Sequence, residues 1–128
     1  MTSKRDDYIN YRFKRSEESL EDALILIEKK RWNTAVNRLY YSCFYAVISL
    51  LLKNGLTTRS HDGSRIKFGN EFVKTGILDK KFGKLYSKFF DFRQKGDYGD
   101  LFDFDEKTVL PLVDQVKEFV STIKTLIE

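Results

Sequence analysis

One cysteine, one proline, one histidine and seven glycines in 128 residues exclude a good deal. A lone thiol rules out a disulfide framework within the chain and a cysteine-based metal site. Cys43 sits among Tyr41, Phe44 and Tyr45, where it reads as a buried small hydrophobe. With a single proline, few glycines and no low-complexity run, no linker is visible, and residues 1–128 read as one domain. No stretch alternates with period two, so no strands are expected. The longest apolar stretch, Cys43 to Leu52, is interrupted by Ser49 and is too short to span a bilayer. The first residues, Met1-Thr-Ser-Lys-Arg-Asp-Asp, run straight into charge. A soluble, cytoplasmic protein without membrane contact is therefore expected. Gly-rich phosphate loops and His/Cys/carboxylate ligand spacings are missing too, so no metal and no cofactor is expected.

What the chain does have is charge, unevenly placed. Residues 1–58 carry ten Lys/Arg against seven Asp/Glu, residues 59–95 ten against four, and residues 96–128 three against eight. The middle is basic and the end acidic. Such a middle suits phosphates, as an RNA-binding surface would; it equally suits docking beside an acidic helix of the same fold.

Helical periodicity accounts for nearly all the rest. A first helix over residues 5–29 carries Ile9, Phe13, Leu20, Leu24 and Ile27 on one stripe and is otherwise exposed. A second runs from Asn33, a candidate N-cap, to Lys53, closed by Asn54-Gly55. Its apolar arc, from Ala35 and Val36 through Leu39, Tyr40, Cys43 and Val47 to Leu51, marks it as the central helix; Asn37, Arg38, Tyr41, Ser42 and Ser49 share its polar side. A short third helix spans Gly63 to Lys74 and ends at Gly76, after a loop holding His61. A fourth follows an Asp79 cap to about Lys95, with Lys80, Lys84 and Lys88 opposite an aromatic stripe. The fifth follows Asp105 to the C-terminus, and Pro111 inside it is expected to kink the first turns or delay the regular helix until Leu110. Asp100, Asp103 and Asp105 read as a capped turn. The expected architecture is all-α: an antiparallel four-helix bundle with one additional short helix.

One position breaks the aromatic stripe of the fourth helix. Taking 100° per residue from Phe82, Leu85, Tyr86, Phe89, Phe90 and Phe92 fall within roughly 80° of it, and Arg93 falls about 20° away. Arg93 should point inward. A guanidinium removed from water needs an anionic or carbonyl partner, and the choice is between Asp97 one turn later and a phosphate brought by a ligand.

Asn37-Arg38-Leu39-Tyr40-Tyr41-Ser-Cys-Phe-Tyr-Ala46, Ser60-His61-Asp-Gly63, Phe72-Val73-Lys74-Thr75-Gly76 and Arg93-Gln-Lys-Gly-Asp97-Tyr98-Gly-Asp100 stand in order along the chain. Together they resemble the HEPN domains, in particular a small stand-alone branch. The resemblance implies a four-helix bundle, a homodimer and an RNA-directed function. Many members are metal-independent ribonucleases with an Arg, four to six intervening residues and a His; others bind RNA or nucleotides without cutting. It also implies a toxin-antitoxin setting with a minimal nucleotidyltransferase as antitoxin. Carried onto this chain, the motif gives Arg93, Asp97 and Tyr98 as candidate catalytic residues, with Tyr98 where the histidine would stand. A tyrosine is a poor base at neutral pH, which leaves His61 as the conventional acid/base candidate. Arg38, Tyr41, His61, Lys80, Lys84 and Lys88 are candidate RNA contacts. The alternative is a non-catalytic dimeric module that binds a nucleotidyltransferase partner, with Arg93 and Asp97 serving the fold.

Overall fold

The computed structural model describes residues 3–98 and 103–128, with the side chains of residues 95–98 excepted. Asp100 and the side chains of Asp97 and Tyr98 therefore lie outside the described residues. Among the described residues the chain is all helical, without strands. The helices are α1 (Lys4–Glu28), α2 (Trp32–Lys53), α3 (His61–Phe68), α4 (Lys80–Tyr98) and α5 (Glu106–Ile127), and a π-helical turn, Gly69–Val73, continues α3.

Most helix ends follow from local chemistry. Ser3 and Asp6 form a reciprocal capping box at the start of α1. Ser60 Oγ accepts from the Gly63 amide at 2.9 Å and so begins α3 at His61, which corrects the expectation of a histidine in a loop. Asp79 accepts from the Lys81 amide, and Asp105 from the Thr108 amide, each at 2.9 Å. At the end of α2, Gly55 takes a φ of 72°, a left-handed conformation that lets the Leu56 amide turn back to the Leu51 carbonyl. Two expectations fail. Asn33 is not the cap of α2; its amide instead accepts from the Phe104 backbone N–H at 2.8 Å and donates to Asp103 at 2.9 Å, tying the start of α2 to the start of α5. Pro111 does not delay α5, which already begins at Glu106, because the proline is exposed and sits in the first turns, where its missing N–H leaves only one early carbonyl to water.

Helix α2 is the centre, packing against α1, α5, α4 and α3. Leu39, Cys43, Ala46 and Val47 on its expected apolar arc are completely buried. It is also the one helix among the described residues long and apolar enough to cross a membrane, and most of it is enclosed by the other helices. Around it, Phe68, Phe82, Tyr86 and Phe119 form a continuous set of ring contacts joining α3, α4 and α5. Each such ring contributes on the order of 2–3 kcal/mol through burial.

The α1–α2 seam is built differently from its sequence pattern. Alongside Ile9 and Phe13, the buried residues of α1 are Ser16, Ser19 and Ala23; Ser16 meets Ser42, and Ile9 meets Ser49, on the side of α2 that reads as polar. Small side chains let the helices approach closely. Their hydroxyls are satisfied locally: Ser16 Oγ donates to the Ser42 carbonyl at 2.6 Å, Ser42 Oγ to the Ser16 carbonyl at 2.9 Å, and Ser49 Oγ to the Ile9 carbonyl at 3.1 Å.

Candidate functional site

Tyr40 belongs to the apolar arc of α2, yet its hydroxyl has to find a polar partner inside the protein. It meets His61 Nδ1 at 2.7 Å. Because the Ser60 cap starts α3 two residues earlier than expected, His61 occupies its first turn and its ring lies against α2: Phe44 stacks on it at 4.3 Å, and Tyr41 meets it edge-on at 5.8 Å. Gly63 makes this cap feasible, since a Cβ there would come within 2.4 Å of Thr58 Oγ1 and 2.9 Å of the capping Ser60 Oγ.

Helix α4 contributes from the other side. The Tyr86 ring stacks on Tyr40 with centroids 6.2 Å apart and the planes 11° from parallel. Tyr86 also lies 2.8 Å from Ser64 Oγ, which in turn reaches the His61 carbonyl oxygen at 2.7 Å. Burial drives the Tyr40 and Tyr86 hydroxyls well above the ordinary tyrosine value, so both keep their protons at neutral pH. His61 moves the opposite way: burial first, then the charge of Arg93, lowers its pKa and keeps the imidazole neutral.

Arg93 is half-buried near the end of α4. It lines a cavity of about 260 Å³ with Asn33, Thr34, Val36, Asn37 and Tyr40 of α2, Phe92 of α4, and Phe104. Its charge is felt at both Tyr40 and His61. Two groups 32 residues apart in sequence are thus brought into one electrostatic neighbourhood, which the spacing in the chain did not reveal. Arg38 borders this region through Asn37, whose Oδ1 accepts from Arg38 Nε at 3.0 Å and Nη2 at 2.7 Å, while the guanidinium lies over the Tyr41 ring at 4.9 Å. The polar side of α2 and the motif arginine therefore meet.

The lysines do not all join them. Lys88 lies over the ring of Phe92 at 5.9 Å, and Phe92 in turn lines the Arg93 cavity. Lys80 and Lys84 instead line a separate, larger groove of about 700 Å³ with Arg65, Lys74, Gly83 and Tyr86. The candidate RNA contacts fall into two sets, Arg38, Tyr41 and His61 beside Arg93, and Lys80 with Lys84 on the groove.

Sequence reasoning missed Tyr86, Ser64 and the polar role of Tyr40. The available signal was slight: two tyrosines where phenylalanine would pack as well, each requiring a buried partner for its hydroxyl. Chemically, the assembled group offers a cation for an anionic ligand, a neutral imidazole for proton transfer, and aromatic and amide walls.

The HEPN domain model matches residues 9–126. A UPF0332 protein of Thermotoga maritima is 40% identical over 126 residues, which cover 98% of this chain and 96% of that protein. Two proteins of Methanocaldococcus jannaschii, each named "Putative toxin", are 37% identical over 83 residues and 36% over 84. Those matches cover 65% and 66% of this chain, and 62% and 57% of the two relatives.

Proposed function

This chain belongs to the HEPN domain family, and from that premise we propose that it is an RNA-cleaving, toxin-like member whose working groups are Arg93 and His61. The observation that carries the reading is that Arg93 lines one cavity with Tyr40, whose hydroxyl holds His61 Nδ1 at 2.7 Å. Arg93 binds the phosphodiester through charge-assisted hydrogen bonds to its non-bridging oxygens. His61 removes the proton of the neighbouring ribose 2′-hydroxyl. The O2′–P bond forms, the P–O5′ bond breaks, and the leaving oxygen takes up a proton, giving a cyclic phosphate and a 5′-hydroxyl. His61 thereby does the work that the motif histidine does elsewhere in the family, while Asp97 and Tyr98 follow Arg93 on the motif as the further site residues. Arg38, Tyr41 and Lys88 extend the footprint from the same side, and Lys80 with Lys84 hold the strand further along.

The wider reading follows the family: an antiparallel bundle of α1, α2, α4 and α5 with α3 as the short addition, paired as a homodimer in the cytoplasm and neutralised by a minimal nucleotidyltransferase. The relatives named "Putative toxin" support the toxin-like part. In the test, Arg93→Ala loses RNA binding and cleavage while its helical circular dichroism stays, and wild-type affinity falls steeply with salt. RNA binding unchanged in a well-folded Arg93→Ala protein would reject the assignment.

Tyr98 at the histidine position favours a second reading, a non-catalytic dimeric module that recognises the nucleotidyltransferase. There the purified protein leaves RNA intact, and Arg93→Ala costs stability rather than RNA affinity.

A further inference from the structure

Arginine and tyrosine alternate along one line of the surface that begins at the Arg93 cavity. Arg38, tied to the cavity through Asn37, lies over the Tyr41 ring at 4.9 Å. One turn further along α2, the Tyr45 ring meets that of Tyr41 with centroids 5.8 Å apart. Arg15 reaches the Tyr45 ring from α1 at 5.7 Å, so the line crosses from one helix to the next. Tyr11, four residues before Arg15 and therefore on the same face of α1, is 56% exposed and carries Arg12 at 5.8 Å from its ring. Arg15, Arg38, Tyr41 and Tyr45 are all partly exposed.

Two features set this line apart from an ordinary solvated face. Among the described residues neither Arg15 nor Arg38 is ion-paired with a carboxylate, whereas Arg65, Lys81 and Lys124 are. A guanidinium laid over a ring keeps N–H groups that the ring cannot use, and these remain available to an anion. Tyr41 and Tyr45 also stand four residues apart on α2, so their rings follow one another along the helix surface.

We propose that Arg38, Tyr41, Tyr45 and Arg15 form a track for single-stranded RNA that runs from the Arg93 cavity across α2 to α1. The arginines hold phosphates, and the tyrosines stack unpaired bases. The proposal deepens the ribonuclease reading by naming the strand state of its substrate, and it takes the Arg93 cavity from that reading as its starting point. Each nucleotide of a single strand brings one anion and one flat π face, and each step of the track offers a cation and a flat face. In an A-form duplex the base faces are covered by their neighbours, so a duplex would meet the arginines and leave the rings idle. An acidic peptide would do the same.

The test measures binding of fluorescent 2′-O-methyl oligouridines, which lack the attacking hydroxyl and stay intact, to the full-length protein. A trinucleotide reports the Arg93 cavity, a decanucleotide the cavity with the track, and a duplex of the longer length the charge alone. Wild type should bind the decanucleotide more tightly than the trinucleotide or the duplex. Tyr45→Leu keeps an apolar side chain and removes the ring; it should weaken the decanucleotide roughly tenfold and spare the trinucleotide, while Tyr45→Phe binds as wild type does. Arg15→Gln should weaken the decanucleotide and lower its salt slope by about 0.7, the share of one phosphate. Arg93→Ala should weaken both lengths. Decanucleotide binding unchanged in folded Tyr45→Leu and Arg15→Gln overturns the track and leaves the Arg93 reading in place. If Arg93→Ala changes neither length while Tyr45→Leu still weakens the longer one, the track stands and the Arg93 reading falls. Sedimentation of the same samples closes the test: a wild-type dimer that Tyr45→Leu turns into a monomer makes this surface a contact between copies and overturns the proposal.

Discussion

Buried hydroxyls occur in two parts of this molecule and do different things there. At the α1–α2 seam, Ser16, Ser42 and Ser49 donate to backbone carbonyls of the facing helix, and their protons go no further. In the cluster between α2, α3 and α4, the Tyr40 hydroxyl meets the His61 ring and the Tyr86 and Ser64 hydroxyls meet each other, with Ser64 also donating to the His61 carbonyl, so both lead to a histidine that retains access to solvent. The first set fixes how closely two helices pack. The second couples packing to the state of a titratable group, because each proton's place depends on its neighbour's. A buried polar residue is thus structural or functional according to where its chain of hydrogen bonds ends.

The largest effect that would sharpen this contrast is on turnover. His61→Ala should lower RNA cleavage by roughly 10²–10⁴-fold, whereas Ser42→Ala should leave it unchanged; single-turnover assays on both proteins make the comparison. Cleavage that persists in folded His61→Ala would mean the proton goes elsewhere. Next in size are the stability changes. Tyr86→Phe should cost about 1–3 kcal/mol, since it removes the fully buried hydroxyl that meets Ser64 Oγ, and Ser42→Ala about 1 kcal/mol, since each helix keeps most of its contacts. Urea unfolding at one pH ranks them, and a Ser42 variant less stable than the Tyr86 variant would contradict the distinction.

The smallest effect is on pH dependence. Burial and Arg93 hold the folded pKa of His61 below its unfolded value, so as pH falls below about 6.5 the unfolded chain takes up the proton first. Stability associated with His61 is full above that value and declines as pH falls towards the folded pKa. Unfolding midpoints near pH 7.5 and near pH 5.5 should therefore differ less in His61→Gln than in the wild type. In Arg93→Ala the loss of a neighbouring cation should move the His61 titration upward by NMR; an unmoved titration would place Arg93 too far away to act.

Several helix boundaries were legible because caps are local: Asp79, Asp105 and the Asn54-Gly55 stop act within three or four residues, whereas the Ser60 cap that starts α3 at His61 was missed. Asn33 was read wrongly for the complementary reason. Its amide could serve its own helix or another, and Phe104, 71 residues away, won it. Periodicity found the inward stripe of α4 and the half-buried Arg93 on it. It could not find the serine seam, since a face of Ser, Ala and Ser looks polar until a second helix supplies carbonyls for the hydroxyls. The expected pairing of Arg93 with Asp97 falls on a side chain outside the described residues.

The order of residues determined that the chain is helical, where its helices begin and end, which faces are apolar, and that a cation sits among aromatics on α4. All of these depend on neighbours within a turn or two, where backbone geometry leaves few choices. Only the tertiary structure decided that Tyr40, Tyr86 and Ser64 gather around His61 near Arg93. That gathering exists because α2, α3 and α4 converge on a common core, and its hydrogen bonds are set by distances of a few tenths of an ångström that sequence spacing does not encode.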